Sequence, residues 1–149
     1  MRSVLVLHGP NLNRLGQREP ERYGTTTLDQ IDAALAAAAE GVALETFQSN
    51  HEGALIDRLH AAADAGASGV LLNAGAYSHT SLALADAVRA IAPIPVVEVH
   101  LTNAVARGRE SIIGPACHAR VEGFGADSYM VALWALLRQL NGTRVQSNG

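Results

Sequence analysis

The sequence has little with which to staple itself, hold a metal or cross a membrane. Its 149 residues include one cysteine, Cys117, which excludes an intrachain disulfide and fits a reducing compartment. The six histidines are scattered without a metal-ligand spacing, so no metal is expected. No apolar run approaches the ~20 residues of a membrane span. The run from Val4 to Leu7 is too short for a signal peptide and stops at "HGPN". Charged residues make up only 17% of the chain, with a net charge of −3 and no Lys or Arg run, which argues against a nucleic-acid binder. G-x-G-x-x-G and G-x-x-x-x-G-K-[ST] are both missing, so neither dinucleotide nor P-loop chemistry is signalled. Ser78 and Ser81 flank His79, but no nucleophile elbow surrounds them. Repeats, low-complexity tracts and interdomain linkers are absent as well. These absences leave one cytoplasmic domain over residues 1–149 that does cofactor-free acid–base chemistry or binds a ligand.

What is present is an alternation of strands and helices. Apolar, β-branched runs ("SVLVLHG", "VALETFQS", "GVLLNAG", "PVVEVHL", "HARVEGFG") alternate with amphipathic segments. The helical segments are "TTTLDQIDAALAAAAEG", "HEGALIDRLHAAADAG", "SHTSLALADAVRAIA" and "DSYMVALWALLRQLN". The first has a Thr cap and Gly41 as its stop, and the second carries Leu55, Leu59 and Ala62 on one face. Strict βα alternation predicts a five-stranded parallel sheet covered by helices on both faces, an α/β flavodoxin-like three-layer sandwich of order 2-1-3-4-5. A polar tail is expected over about residues 142–149.

In such sheets ligands sit beyond the carboxyl ends of the strands, at the switch point between strands one and three. Here those ends read "HGPNLN", "SNHE", "NAGAYSH" and "HLTN". With strands one, three and four as neighbours, Asn11, Asn73 and His100 should converge, with Asn50 and His51 to one side. Capping and turn formation account for Ser49, Asn50 and His51. Glu98 stands two residues before His100, on the same face of its strand. A carboxylate there can orient the imidazole and suit it to general-acid work.

One stretch fits neither strand nor helix. "LGQREPERYGTTT", Leu15 to Thr27 with a loop over about residues 15–26, joins the first strand to the first helix with two arginines, two glutamates, a proline and a tyrosine. Connections of that length often serve as lids or binding loops.

The segments "GPNLNRLGQREPERYG", "QSNHEGALID", "LNAGAYSHTSLALADA" and "VEVHLTN" resemble the type II 3-dehydroquinate dehydratases, in order and spacing, from about Ser3 to the last helix. The resemblance implies conversion of 3-dehydroquinate to 3-dehydroshikimate and water, without cofactor or metal. It also implies a homododecamer, a tetramer of trimers. It makes the loop of Arg18 and Tyr23 a mobile lid, with Tyr23 as the base and Arg18 as its activator. Such help is needed, because free tyrosine yields little phenolate at neutral pH and a guanidinium favours the anion. Asn11 matches the residue that holds the enolate-stabilising water, and His100, held by Glu98, matches the general acid. Leu101 and Thr102 match the segment that binds the substrate carboxylate. Asn73, His79 and Arg107 match groups that hydrogen-bond the ring hydroxyls. Asp86 matches a carboxylate reaching into the adjacent subunit's site; by itself it reads as a solvated helix residue.

Two departures stand out. His8 occupies the first place of a word that the family commonly writes N-G-P-N. Ser111, in "RGRESIIGPAC", stands where a second substrate-contacting arginine is expected, and Arg109 could cover for it. The divergent Arg107–Ser111 segment leaves open a paralogue of altered specificity. A second alternative, a non-catalytic flavodoxin-like binding module, stays open because a fold alone does not decide function. A phosphoacceptor domain would carry acids where this chain has His8 and Asn73. A flavin binder would carry a hydroxyl-rich loop where it has Gly9-Pro10-Asn11.

Overall fold

Val4, Leu5, Val6 and Leu7 are all buried, so β1 (Arg2–His8) is covered on both faces and sits inside the sheet. The structure, a computed structural model, describes residues 1–142; residues 143–149 of the expected polar tail lie outside them. Strands β2 (Val42–Gln48), β3 (Gly69–Asn73), β4 (Val96–His100) and β5 (Ala119–Glu122) join β1 in one sheet, ordered β2-β1-β3-β4-β5 with every pairing parallel. This is the sheet that the alternation predicts. β3 and β4 are buried along their whole length, as central strands of a parallel sheet should be.

Alternation along the strands sends residues to two cores. Val4, Val6, Leu71, Val97 and Val99 pack with α2 (Leu28–Ala38) and α5 (Asp127–Leu140). Leu5, Leu7, Val70, Leu72 and Val96 pack with α3 (Glu52–Asp64) and α4 (Leu82–Ala90). Leu55, Leu59 and Ala62 form the buried face of α3. Among the described residues no helix is long and apolar enough to cross a membrane.

The helix starts follow local chemistry. Thr27 and Gln30 form a capping box on α2: the Gln30 N–H donates to Thr27 Oγ1 at 3.2 Å, and the Thr27 N–H donates to Gln30 Oε1 at 3.0 Å. The third helical segment starts later than its pattern suggests. Gly75–His79 makes a 3₁₀ turn, and α4 begins only after Ser81, whose hydroxyl accepts the Leu84 N–H at 2.9 Å. The cap offers those free N–H groups a partner, and so marks the boundary. The expected loop at residues 15–26 is also corrected. Pro20–Tyr23 is one helical turn, α1, with Pro20 at its first position. Leu15 is buried, and Tyr23 packs partly against the core.

Candidate active site

The ends of β1 and β3 are drawn together by backbone. His8 and Asn73 are in register, and the Gly9 N–H donates to the Asn73 carbonyl at 2.7 Å. A Cβ at Gly9 would lie 2.6 Å from the Ala74 carbonyl group, so only glycine permits this approach. Past it, Asn11 takes a left-handed backbone, φ 69°, and its N–H donates to the Asn50 side chain at 2.9 Å. A cavity opens there, at the carboxyl edge of the sheet. Pro10, Asn11 and Leu12 line it from the β1 exit, Arg18 and Tyr23 from the long connection, Asn73, Gly75 and Ala76 from the β3 exit, and Leu101, Arg107 and Arg109 from the β4 exit.

Two guanidinium groups converge on Tyr23 in this cavity. Arg18 Nη2 and Arg107 Nη1 each donate to its phenolic oxygen at 3.3 Å. The Arg18 guanidinium also lies 4.5 Å from the ring centroid. Charged donors aimed at one oxygen stabilise negative charge on it. With Arg109 the cavity has three guanidinium groups, a set suited to an anionic ligand.

On the other face of β4, His100 Nε2 lies 2.7 Å from Glu98 Oε2, as their i, i+2 spacing predicts. The same oxygen accepts the Ser111 hydroxyl at 2.5 Å, and Arg120 lies 3.6 Å from Oε1. Burial pushes the Glu98 carboxyl up. The hydrogen bonds from His100 and Ser111, with the charges of His100 and Arg120, outweigh it and hold Glu98 below the usual glutamate range. Glu98 is therefore an anion that fixes one imidazole nitrogen, and His100 Nδ1 carries no hydrogen bond among the described residues.

The sequence model of the family described as Dehydroquinase class II matches residues 2–137. The chain belongs to that family. The 3-dehydroquinate dehydratase of Ruegeria pomeroyi is 51% identical over 146 residues, 95% of this chain and 97% of that protein. The enzyme of the same name from Caldicellulosiruptor saccharolyticus is 45% identical, over 91% and 97%. The crystal structure of the type II dehydroquinase from Butyrivibrio crossotus superposes with a TM-score of 0.86 at 35% identity, covering 91% of this chain and 97% of that one.

Within this dehydroquinase fold the residues picked from sequence fall into three groups. Asn11, Arg18, Tyr23, Asn73, Leu101 and Arg107 line one cavity. Thr102, His100, Glu98 and His79 form a second group outside that lining. Arg107 donates to Thr102 Oγ1 at 3.1 Å, and the His79 and His100 rings lie parallel with centroids 6.3 Å apart. His79 Nδ1 is further held at 2.6 Å from the Glu110 carbonyl. Asp86 stands apart on α4, exposed and paired with Arg89 at 3.3 Å. Asn50 binds the Asn11 N–H rather than lying wholly to one side. Ser111 faces Glu98. It is absent from the lining of the Tyr23 cavity, where Arg109 is present. Sequence reasoning missed the Ser111–Glu98 bond, because nothing local to "RESII" signals a partner thirteen residues upstream.

Proposed function

We propose that the chain dehydrates 3-dehydroquinate to 3-dehydroshikimate and water, with residue roles as follows. The Tyr23 phenolate takes a proton from the carbon beside the ketone, leaving an enolate. Asn11 holds a water that stabilises the enolate oxygen. As the enolate collapses, the C–O bond to the departing hydroxyl breaks, and His100 supplies the proton that makes it water. Glu98 keeps the imidazole oriented for that transfer. The observation that carries this reading is Tyr23, whose phenolic oxygen accepts from both Arg18 and Arg107. A tyrosine base needs cations beside it to favour its anion.

The substrate's carboxylate is taken by the backbone N–H groups and hydroxyl of the Leu101–Thr102 segment. Its ring hydroxyls are bound by Asn73, His79 and Arg107. Residues 15–26 act as the lid, closing Arg18 and Tyr23 over the substrate and excluding water. Asp86 serves the neighbouring subunit's site in a homododecamer built from trimers. The cytoplasm is the proposed compartment, in keeping with the lone Cys117. The test is direct. Purified protein mixed with 3-dehydroquinate should give the ultraviolet absorbance of a conjugated enone. No absorbance at substrate concentrations that saturate a known dehydroquinase would sink the proposal.

A further inference from the structure

An unbroken line of hydrogen bonds runs from the surface of α2 to the cavity. Asp32 Oδ1 lies 2.8 Å from His8 Nε2. His8 Nδ1 lies 2.8 Å from the Tyr129 hydroxyl. The Tyr129 oxygen lies 3.1 Å from Asn73 Nδ2, and Asn73 Oδ1 accepts the Gly75 N–H at 3.1 Å. His8 and Tyr129 are fully buried and Asn73 is nearly so. Of the four side chains Asp32 is the one well open to solvent, 25% exposed.

The direction of each bond follows from the donor and acceptor inventory. At the cavity end, the Gly75 N–H needs an acceptor, which fixes the Asn73 carbonyl oxygen there and turns its NH₂ toward Tyr129. At the surface end, a carboxylate only accepts, so the proton sits on His8 Nε2. With Nε2 as the donor, Nδ1 is left as the acceptor that the buried Tyr129 hydroxyl needs. Tyr129 lies between an acceptor and a donor and fits both: it donates to His8 Nδ1 and accepts from Asn73 Nδ2. Burial drives the Tyr129 hydroxyl strongly toward its protonated form, which keeps it a donor. The line therefore has one consistent polarity, and it leaves one Asn73 N–H uncommitted at a residue that lines the cavity.

We infer that Asp32, His8 and Tyr129 are positioning residues that lock the Asn73 amide with its free N–H presented to the ligand. This rests on the proposal that Asn73 binds a ring hydroxyl of 3-dehydroquinate. It gives His8, a departure from the family's usual asparagine, a role that reaches the substrate without touching it. An amide free to flip would present its carbonyl as well as its N–H to the ligand. An amide held from both ends presents a donor every time, and the ordering cost is met on folding rather than on binding.

The test is a double-mutant cycle on kcat/KM for 3-dehydroquinate. Tyr129→Phe removes only the hydroxyl, and its expected cost is about 3- to 10-fold, the range for one net hydrogen bond, mainly through KM. In an Asn73→Ala background the same change should cost almost nothing, because the group it orients is gone. Asp32→Ala, at the partly exposed end, should act in the same direction but more weakly. Asp32→Asn keeps an acceptor for His8 and should recover most of that loss. Should Tyr129→Phe fail to fold, the Asp32 variants combined with Asn73→Ala run the same cycle. Losses that simply add in the double variants would overturn the inference, since a merely structural hydroxyl acts independently of Asn73. Losses that vanish support it. A wild type that does turn over 3-dehydroquinate, with Asn73→Ala equal to it, would refute the role of Asn73 and this inference together. An inactive wild type would fail the functional reading itself.

Discussion

Ser111 gives its hydroxyl to Glu98, Oγ to Oε2 at 2.5 Å, on the same oxygen that holds His100 Nε2 at 2.7 Å. Ser111 Oγ also accepts the Gly114 N–H at 3.0 Å. The position where an arginine is expected to contact substrate is thus occupied by a residue that braces the carboxylate holding His100. Glu98 is fully buried and lacks any solvent to bind, so each such donor matters to its charge.

That bracing has a pH signature. Burial pushes the Glu98 carboxyl up, but its hydrogen bonds and neighbouring charges hold it below the usual value. A carboxyl depressed on folding stabilises the protein above its unfolded pKa, ~4.3 for glutamate, and loses that contribution as pH falls through the lower folded value. Ser111→Ala removes a lowering donor. It should cost about 1.5–3 kcal/mol near pH 7, the range for a hydrogen bond to a charged group, and progressively less as Glu98 protonates. Urea midpoints at neutral and acid pH check this; a gap that stays constant down to the acid end would show that Glu98 ionisation is not what Ser111 supports.

Tyr23→Phe should leave the fold intact, because among the described residues the phenolic oxygen bonds only to Arg18 and Arg107. Turnover should fall about 10²- to 10⁴-fold, the usual cost of losing one acid–base group. Steady-state kinetics with an unchanged circular dichroism spectrum would establish it. Near wild-type kcat would mean that another group takes the proton.

Arg109 lines the cavity beside Arg107 while Ser111 does not. Arg109→Ala should therefore raise KM for 3-dehydroquinate more than it lowers kcat, the pattern for a group that binds substrate and transition state alike. An unchanged KM would leave the place of the missing arginine to solvent.

Asp86 is exposed, and among the described residues its side chain bonds only to Arg89. If it completes a neighbour's site, the protein is an obligate oligomer. Light scattering after gel filtration should find an assembly, twelve subunits as proposed, and a fully active 15.6 kDa monomer would refute it. Mixing inactive Asp86→Ala and Tyr23→Phe subunits should then restore part of the activity. Demonstrated subunit exchange with no recovery would remove Asp86 from the site.

The five strands and the two buried faces were legible in the sequence because they follow from short-range pattern, and their order is the one that five βα units favour. Four consecutive apolar residues from Val4 to Leu7 or an i, i+4 stripe such as Leu55 and Leu59 states which face must leave water. The order of the sheet in turn put Asn11 and Asn73 at one edge, and i, i+2 spacing put Glu98 against His100. Other relationships were decided only by the tertiary structure. His8 meets Asp32 across 24 residues and Tyr129 across 121. Arg107 reaches Tyr23 across 84, and Ser111 turns to Glu98 rather than to the cavity. A buried polar group must find a partner, but its sequence neighbours do not say which. The choice falls to whichever donor or acceptor the packed helices bring within about 3 Å at a usable angle. Hydrophobic pattern sets the layers, and the meeting of single polar atoms is settled only once those layers have closed on one another.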